Sequence, residues 1–289
     1  MKKTGLFWMT GILLLAGACS SPVERHTYYS QFLRPDSLQL AEIWQPEGEK
    51  VPISHHGPAV ENQFMALRIY FDGRAAIDVY SKSGLIDDEL GRWHWYPTQE
   101  QIDTEGAGCD EYFVGKTVGL GGIQLWDGEK ALPLETTAGR RSLVGRTDLG
   151  AFMEMISYGV PYLGDSLDVS LRVDMLDNSR WARVTARELN GKPFRIITGV
   201  NYHAGAQVLR EPGLVAVWGQ HPANVSASPI PIGGAIRFDT EVFPDVEDTG
   251  LDFRLVSVPQ SVFQTQVAAA SVKEADLSDA EHFFEFVQK

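Results

Sequence analysis

Cysteine is nearly absent from this sequence, which excludes a fold built on a disulfide framework. The 289 residues contain two cysteines, Cys19 and Cys109, and Cys19 lies at the end of a leader-like segment. If Cys19 is modified there, Cys109 has no partner, and the fold must rest on its hydrophobic core. Hydrophobic residues make up 44% of the chain, enough for one large β domain or two fused β units.

Long apolar runs are also missing. The apolar stretch 6–16 is shorter than the ~20 residues that a membrane-spanning helix needs. It follows two lysines and ends in small residues before Cys19, the pattern of a secretory signal with a lipobox-like end. We therefore expect a signal peptide over 1–18, a lipidated tether and irregular lead-in over 19–50, and a β-sandwich domain over 51–289. A secretory signal with an incidental cysteine is the alternative.

These expectations place the protein in the cell envelope as a lipoprotein that touches the membrane only through its lipid anchor. The stretch Ser20–Arg25 lacks the acidic run associated with surface export. A periplasm-facing position is therefore favoured over the cell surface.

Positive charge is scarce, with 25 Lys and Arg against 38 Asp and Glu and a formal net charge of −13. A surface this acidic repels nucleic acid, so no nucleic-acid partner is expected. It also repels a polyanionic glycan at long range. An acidic sugar would therefore have to be held by a local cluster of arginine or lysine.

Alternation of apolar and polar residues is the main structural signal. Residues 64–71 and 75–80 flank Asp72-Gly73, which predicts a β-hairpin. Residues 167–175 alternate strictly, as in an antiparallel strand with one solvated face, and 181–189 is its expected partner. Further strands are predicted over these segments: 194–202, 214–218, 235–238 and 253–258.

Only the C-terminus reads as a helix. Ser278-Asp279-Ala280-Glu281 matches a capping box, and Phe283, Phe284 and Val287 give the segment an apolar face. Strand pairs joined by short turns point to stacked antiparallel sheets. We therefore predict an all-β fold, an antiparallel β-sandwich or supersandwich, with a short C-terminal helix.

Two polar, turn-rich segments, 54–62 and 93–122, are candidate site loops. Adjacent residues His55 and His56 could serve one site only if the backbone turns, which Gly57-Pro58 allows. His55 and Asp110 are candidate metal ligands, although no cofactor is required by the sequence. The alternative is that these histidines only bond to the backbone.

The aromatic residues in and just after the second loop, and the glycines of that loop, have two interpretations each. Trp93, Trp95, Tyr96, Tyr112 and Trp126 could stack on sugar rings or simply fill the core. The glycines of 119–122 lack the order of a phosphate-binding loop, and they indicate a bulge or a backbone that a ligand approaches closely.

Cys109, His203 and His94 are further candidates with competing interpretations. Cys109 is expected to be an inert, buried thiol. His203 ends a predicted strand beside Tyr202, which suits an acid or base, although a structural role is equally compatible. His94 lies between two tryptophans, where stacking competes with catalysis.

Several short motifs resemble a family of exported proteins that Bacteroidetes encode in polysaccharide-utilisation loci, catalogued as a domain of unknown function (number 4861). The likeness runs from about Ser54 to the C-terminus. The motifs that carry it lie at 56–62, 77–82, 94–98, 108–112, 114–122, 154–162 and 201–203. The resemblance implies a β-supersandwich related in shape to sugar mutarotases and polysaccharide lyases. It also implies relatives that include a dehydratase of uronic-acid oligosaccharides.

The leading hypothesis is a carbon–oxygen lyase that eliminates water or a glycosyl group from a uronic-acid-containing oligosaccharide. Such a reaction needs a base, an acid, and a cation or donors at the carboxylate. The candidate catalytic residues are His56 or His203 as base and Tyr112 or Tyr202 as acid. The candidate substrate-binding residues are Glu61, Asn62, His94, Trp95, Lys116 and Arg140. Two alternatives are a mutarotase or epimerase of the same fold type and a non-catalytic glycan-binding lipoprotein.

Overall fold

The structure is a computed structural model that describes residues 25–31, 40–50, 56–93, 95–223 and 229–289. The predicted signal peptide, the lipidation site Cys19, and the candidate residues His55 and His94 lie outside this part of the chain. Within the described ranges, no helix has both the length and the apolar character needed to cross a membrane.

The described chain is mostly strand. In chain order the strands are β1 Tyr28–Ser30, β2 Glu42–Gln45, β3 Ala59–Glu61, β4 Ala66–Ile69, β5 Ile77–Tyr80, β6 Gln124–Trp126, β7 Ala131–Leu132, β8 Gly139–Thr147, β9 Gly150–Tyr162, β10 Asp165–Leu176, β11 Ala182–Glu188, β12 Ile196–Asn201, β13 Gln207–Glu211, β14 Leu214–Gln220, β15 Pro231–Phe238, β16 Asp245–Asp248, β17 Asp252–Val256 and β18 Val262–Ser271. The helices are α1 Gln99–Glu105 and α2 Ala280–Gln288, with a 3₁₀ turn at Gly91–Trp93.

The strands form three antiparallel sheets. The four-stranded sheet has the order β1-β3-β4-β5, and the five-stranded sheet has the order β16-β17-β12-β6-β7. The nine-stranded sheet has the order β13-β14-β15-β18-β11-β10-β9-β8-β2. This architecture confirms the predicted all-β, sandwich-like fold with a short C-terminal helix.

One hydrophobic core joins the three sheets. It takes Leu67 from the four-stranded sheet, Leu171 and Val173 from the nine-stranded sheet, and Val200 and Leu255 from the five-stranded sheet. These side chains alternate with polar residues along half-exposed strands such as β10, so every second position faces the core. Burying each of them contributes ~1.5–3 kcal/mol, which is how a fold without disulfides in its described part is held.

The predicted hairpin is present as β4 and β5, although both strands are shorter than predicted. The predicted pair 167–175 and 181–189 is present as β10 and β11. The strand predicted over 194–202 is also present, as β12, but it lies in the five-stranded sheet rather than beside β11. All six of its residues are buried, as in a strand that is covered on both faces.

The C-terminal helix begins one residue later than the capping-box pattern predicted. Asp279, not Ser278, is the N-cap, and its carboxylate accepts a hydrogen bond from the backbone N–H of His282. Phe283 and Val287 of α2 pack with Trp218 in a second, smaller core on the outer face of the nine-stranded sheet.

Several features lay outside the sequence predictions, including the long strands β8 and β18. Helix α1 is short and starts with its own capping box, in which Thr98 and Gln101 exchange hydrogen bonds. The lead-in predicted to be irregular contains β1 and β2, each at the edge of a different sheet.

Candidate functional site

The centre of the candidate site is a buried charged group on the β4–β5 hairpin. Arg68 and Asp78 are cross-strand partners, and the Arg68 guanidinium donates a hydrogen bond to the Asp78 carboxylate. The same nitrogen, Nη2, lies 3.5 Å from Oδ2 of Asp110. The Arg68 side chain is only 2% exposed, so its charge must be compensated by these partners rather than by water.

One guanidinium faces two carboxyl groups in this site. Burial raises the pKa of Asp78, while the Arg68 charge opposes the rise. Burial raises the pKa of Asp110 well above its usual value, the neighbouring Asp78 raises it further, and Arg68 opposes both effects. Because a single cation neutralises one carboxylate, this environment favours retention of one proton by the pair. The Asp110 side chain is 8% exposed and that of Asp78 is 1% exposed, so Asp110 is the member of the pair next to the surface.

Two phenols border this carboxyl pair. The Tyr70 hydroxyl donates to Oδ2 of Asp78 at 3.2 Å, and the Tyr96 hydroxyl accepts from Nη1 of Arg68 at 3.3 Å. Tyr96 is 37% exposed, so the group can be reached from solvent on this side. Burial and the charge of Asp78 raise the pKa of Tyr70, which keeps its proton at neutral pH.

His56 lies beside Tyr70, with ring centroids 6.3 Å apart. Its backbone has φ 63°, an uncommon left-handed conformation for a residue other than glycine. The next residue must be glycine, because a Cβ at Gly57 would lie 1.8 Å from the carbonyl oxygen of Ile69. Burial lowers the pKa of His56, as do the charges of Arg68 and Arg74. A neutral imidazole at neutral pH can accept a proton.

We name this group the carboxyl-pair site; its members are His56, Arg68, Tyr70, Asp78, Tyr96 and Asp110. It combines a proton acceptor, a proton donor and a buried positive charge. Sequence reasoning had selected His56 as a base, Asp110 as a metal ligand and Tyr96 as a residue that could stack on a sugar, and it had missed Arg68, Tyr70 and Asp78.

A second group, the histidine-pair group, consists of Tyr112, His203 and His221. The His221 ring lies 4.4 Å from Tyr112 and 4.6 Å from His203. Nε2 of His203 lies 3.1 Å from the carbonyl oxygen of Phe113. Burial, with a smaller effect of His203, lowers the pKa of His221 to about 3. Tyr112 is buried, and burial raises its pKa.

The two groups meet on the segment 110–112. Asp110 belongs to the first and Tyr112 to the second, and the charge of Asp78 contributes to the raised pKa of Tyr112. His221 was not predicted, because it stands alone in the sequence at the end of β14 and no motif marks it. The structure thus separates the predicted bases, with His56 in one group and His203 in the other.

Tyr202, the other predicted acid, contacts Asp248 and Phe253. Its hydroxyl donates to Oδ1 of Asp248 at 2.6 Å, and its ring stacks on Phe253 with centroids 5.1 Å apart. The bond to Asp248 raises the pKa of Tyr202 to about 12. Its role as an acid stays a prediction.

The predicted positioning residues Glu61 and Asn62 hold parts of the protein together. Oε2 of Glu61 accepts from Nζ of Lys82 at 2.7 Å, and both side chains are buried. The Asn62 amide donates to the carbonyl oxygens of Leu176 and Ser179, each at 2.8 Å. These contacts fix loops around β3, and contact with substrate stays a prediction for both residues.

The predicted cations are not in the carboxyl-pair site. Arg140 is buried on β8, where its guanidinium donates to Oγ of Ser157 at 3.2 Å and to the carbonyl oxygen of Leu134 at 2.7 Å. Burial lowers its pKa. Lys116 is exposed in a turn after Val114. Their role at a substrate carboxylate stays a prediction.

Comparison with known proteins shows the family. The chain matches the family described as Domain of unknown function (DUF4861) over residues 23–289. The protein belongs to this family.

The other comparisons add little to the DUF4861 match. No curated protein matches the chain. Among solved structures, the crystal structure of 4-alpha-glucanotransferase from Thermococcus litoralis is similar with 9% sequence identity and a TM-score of 0.36. That similarity covers 80% of this chain and 40% of the other, so this chain spans less than half of that structure. A similarity this weak supports no statement about function.

In this DUF4861 protein the candidate aromatic wall belongs mostly to the core. Trp95, Tyr112 and Trp126 are buried, and Trp95 packs edge-on against Tyr80 with ring centroids 5.0 Å apart. Tyr96 is the exposed member. The core-filling alternative therefore describes three of the five aromatic residues, and the predicted contact of Trp95 with sugar is untested.

The glycines of 119–122 serve close approach between strands. A Cβ at Gly119 would lie 2.0 Å from the carbonyl oxygen of Ile77, and the backbone N–H of Leu120 donates to that oxygen at 2.9 Å. The N–H of Gly121 donates to the carbonyl oxygen of Gly199 at 2.8 Å. The segment therefore joins the four-stranded and five-stranded sheets, and the approaching backbone is the protein's own.

The metal prediction concerned His55 and Asp110. His55 lies outside the described residues, and Asp110 contacts Arg68. Among the residues that the structure does describe, no group of three or more His, Cys, Asp or Glu side chains is arranged to hold a metal ion. Cys109 is buried, and burial raises its pKa to about 12, so it stays a thiol.

Proposed function

We propose that this protein eliminates water or a glycosyl group from a uronic-acid-containing oligosaccharide at the carboxyl-pair site. One observation supports this most: a histidine whose pKa is lowered and a carboxyl group whose pKa is raised lie around the same tyrosine. His56 is 6.3 Å from Tyr70 between ring centroids, and Tyr70 bonds to the carboxyl pair that includes Asp110. Elimination needs such a base and such an acid.

In the proposed reaction His56 gains one proton and Asp110 loses one. His56 takes the proton from the carbon next to the uronate carboxylate, and that C–H electron pair becomes the new carbon–carbon double bond. The carbon–oxygen bond to the neighbouring carbon breaks, and Asp110 gives its proton to the departing oxygen, directly or through Tyr96. Asp110 thereby takes the acid role that sequence reasoning gave to Tyr112 or Tyr202. The new carboxylate on Asp110 stays beside Arg68, which lowers the cost of its ionisation.

Charge develops on the uronate carboxylate as the proton leaves, and a cation there stabilises it. Arg74 is the exposed candidate: its guanidinium lies 4.0 Å from the Tyr70 ring centroid, and its charge already lowers the pKa of His56. Buried Arg68 adds positive electrostatic potential to the carboxyl-pair site. These roles use no metal, so we expect activity to survive chelation.

The test is turnover of uronate oligosaccharides by His56→Gln and Asp110→Asn variants, with His282→Gln as control, since His282 is exposed on α2. Elimination raises ultraviolet absorbance from the new double bond, and mass spectrometry separates loss of water from chain cleavage. We expect each site variant to lower kcat roughly 10²- to 10⁴-fold and the control to behave as the original protein. Full activity in both site variants would remove the proposal.

The same experiment separates the alternatives. A mutarotase or epimerase would produce anomer or epimer interconversion by NMR with no change in mass. If His203→Gln abolishes turnover while His56→Gln does not, the reaction belongs to the histidine-pair group. A non-catalytic glycan-binding protein would bind the oligosaccharide and leave it unchanged in every variant.

We also propose export and lipidation at Cys19, which would hold the protein in the cell envelope facing the periplasm. The apolar run 6–16 with its lysines and the lipobox-like end support this. A Cys19→Ala variant should move from the membrane fraction to the soluble fraction. An unchanged membrane fraction would contradict lipidation at this residue.

A further inference from the structure

A small cavity lies beside strand β1, at the edge of the four-stranded sheet. It has a volume of about 190 Å³ and is lined by Tyr28–Ser30 of that strand and by Glu61, Asp88, Gly91 and Trp95. We name it the β1 cavity. Tyr28 and the Asp88 side chain are each 40% exposed, so the cavity can be reached from solvent.

Strand register places the β1 cavity next to the carboxyl-pair site. Ser30 on β1, Ala59 on β3 and Arg68 on β4 are successive direct partners across the sheet. Neighbouring strands lie ~4.8 Å apart, so the Cα atoms of Ser30 and Arg68 are ~10 Å apart on one face. Trp95 lines the cavity, while the next residue, Tyr96, contacts Arg68. A short oligosaccharide spans such a distance.

The residues 88–95 that cover the cavity are held in place by hydrogen bonds. The backbone N–H of Gly91 donates to Oε1 of Glu61 at 2.7 Å, and that of Leu90 donates to Oε2 at 3.1 Å. Trp95 has φ 67°, an uncommon conformation for a residue other than glycine, and its N–H donates to the carbonyl oxygen of Leu90 at 2.9 Å. Residues held in such conformations are concentrated at ligand-binding sites.

The charges that line the cavity are already compensated within the protein. Nζ of Lys82 lies 2.7 Å from Oε2 of Glu61, and Nε of Arg92 lies 3.3 Å from Oδ1 of Asp88. Among the described residues, those that line the cavity include no lysine, arginine or histidine. An anionic ligand would therefore meet two carboxylates, and a cationic ligand would compete with Lys82 and Arg92. This balance favours a ligand without charge.

The lining offers hydrogen-bonding groups and apolar surface to such a ligand. The carboxylate oxygens of Glu61 and Asp88 can each accept more than one hydrogen bond. Burial and the charges of Asp88 and Asp87 raise the pKa of Tyr28, so its hydroxyl keeps its proton at neutral pH and can donate. Trp95 adds aromatic surface. Together these groups suit the hydroxyl groups and the apolar face of a sugar ring.

We propose that the β1 cavity binds a neutral sugar residue, as a subsite next to the carboxyl-pair site. A uronate in the cavity would place its carboxylate against Glu61 and Asp88, and such like-charge contacts are unfavourable. The substrate is then a mixed oligosaccharide, in which the uronate has a neutral neighbour, and not a polyuronate. This statement about the substrate rests on the proposed elimination, whereas binding of a neutral sugar does not.

The experiment is a saturation-transfer NMR titration of the purified protein with methyl β-glucoside and methyl β-galactoside, and with the matching glucuronide and galacturonide. Each pair differs only at carbon 6, which is a hydroxymethyl group or a carboxylate. We expect Tyr28→Phe to reduce the affinity for the neutral glycosides roughly three- to tenfold, because one hydrogen bond is lost. Affinity for the uronides should not change in this variant.

Matched variants decide where binding occurs. Tyr158→Phe makes the same change at a partly exposed tyrosine on β9 and should leave the affinity for the neutral glycosides unchanged. Arg74→Gln, in contrast, should weaken only the uronides, which bind at the carboxyl-pair site. Thermal unfolding of each variant checks that the fold is intact.

Turnover gives a second readout. Tyr28→Phe should raise KM for an oligosaccharide that joins a uronate to glucose or galactose and leave kcat unchanged. The KM for a polyuronate oligomer should stay the same.

Three results would overturn the proposal. These are no binding of either neutral glycoside, equal losses in Tyr28→Phe and Tyr158→Phe, or a loss of uronide affinity in Tyr28→Phe as large as the loss for the neutral glycosides. If the neutral glycosides bind through Tyr28 and no uronate oligosaccharide is turned over, the elimination proposal fails and the sugar subsite stands.

Discussion

The four-stranded sheet and the outer face of the nine-stranded sheet both carry arginine, but they hold it differently. On the small sheet, Arg68 is buried against Asp78 and Asp110 and is fixed by them. On the large sheet, Arg183 and Arg187 are exposed on alternate positions of β11. Removing a buried charge leaves its partners without compensation, whereas water replaces the partners of an exposed one. The buried arrangement controls the protonation of Asp78 and Asp110, and the exposed arrangement is suited to contact with a ligand.

The largest effect is expected from Arg68→Met. The substitution leaves Asp78 and Asp110 buried without their cation, which should reduce the free energy of unfolding by ~3–5 kcal/mol. Urea unfolding followed by circular dichroism measures this. Arg183→Gln is the matched control, and a loss below about 1 kcal/mol in Arg68→Met would erase the difference between the two regions.

A second buried carboxyl group, that of Glu274, extends the comparison of buried and exposed charges to the pH dependence of stability. Arg180 pairs with buried Glu274 and exposed Asp276, and burial raises the pKa of Glu274 from 4.5 to about 7. The folded protein therefore binds more protons than the unfolded chain between these pH values. The contribution of Glu274 to the free energy of unfolding is complete below pH 4.5. It should fall by ~3 kcal/mol as pH rises through about 7.

Thermal unfolding across this pH range tests the expectation. Glu274→Gln should flatten the pH dependence of stability, while Asp276→Asn should leave it in place because Asp276 is exposed. Equal pH dependence in the original protein and in Glu274→Gln would assign the effect to other groups, such as Asp110.

A smaller effect is expected at the border of the carboxyl-pair site. Tyr70→Phe removes the hydroxyl that donates to Asp78 at 3.2 Å, which should cost ~1–2 kcal/mol because the acceptor is charged and buried. Tyr96→Phe removes an acceptor from Arg68 at a more exposed position and should cost less. Chemical denaturation of the two variants side by side checks the order, and the reverse order would mean that Tyr96 closes the site.

The smallest effect is expected on the outer face. Arg183→Gln should change the free energy of unfolding by less than ~0.5 kcal/mol, since the residue is exposed and away from packed features. A stability loss similar to that of Arg68→Met would show that Arg183 has a structural role.

Sequence reasoning recovered only some of the strands that have one partly exposed face: it predicted β10 and β11 but missed β8 and β18. The alternation in β10 and in the hairpin β4–β5 could be recognised in the sequence, because a period of two residues is visible without knowing which strands pair. Helix α1 was missed because it is seven residues long and none of them is buried, so no apolar periodicity exists to mark it. Strand β9 was predicted only as a family motif, since Phe152 and Ile156 place apolar side chains on its second face.

The candidate site was harder to predict because it depends on register. A two-residue turn at Asp72-Gly73 would pair Arg68 with Ile77. The actual connection is longer, and it pairs Arg68 with Asp78. This shift of one residue creates the ion pair, and no local pattern reports it. Asp110 then joins from a loop 42 residues along the chain, a contact that only the folded chain specifies.

The two short N-terminal strands have a consequence for how this protein can be shortened. β1 completes the four-stranded sheet beside β3, and β2 completes the nine-stranded sheet beside β8. A fragment that starts at residue 51, where the strong strand pattern begins, would uncover the unpaired backbone of both neighbours at once. Two open edges on one molecule allow chain-to-chain stacking in either direction. Expression of such a fragment should therefore yield aggregates, whereas a chain that retains residues from Arg25 onward keeps β3 and β8 paired with β1 and β2.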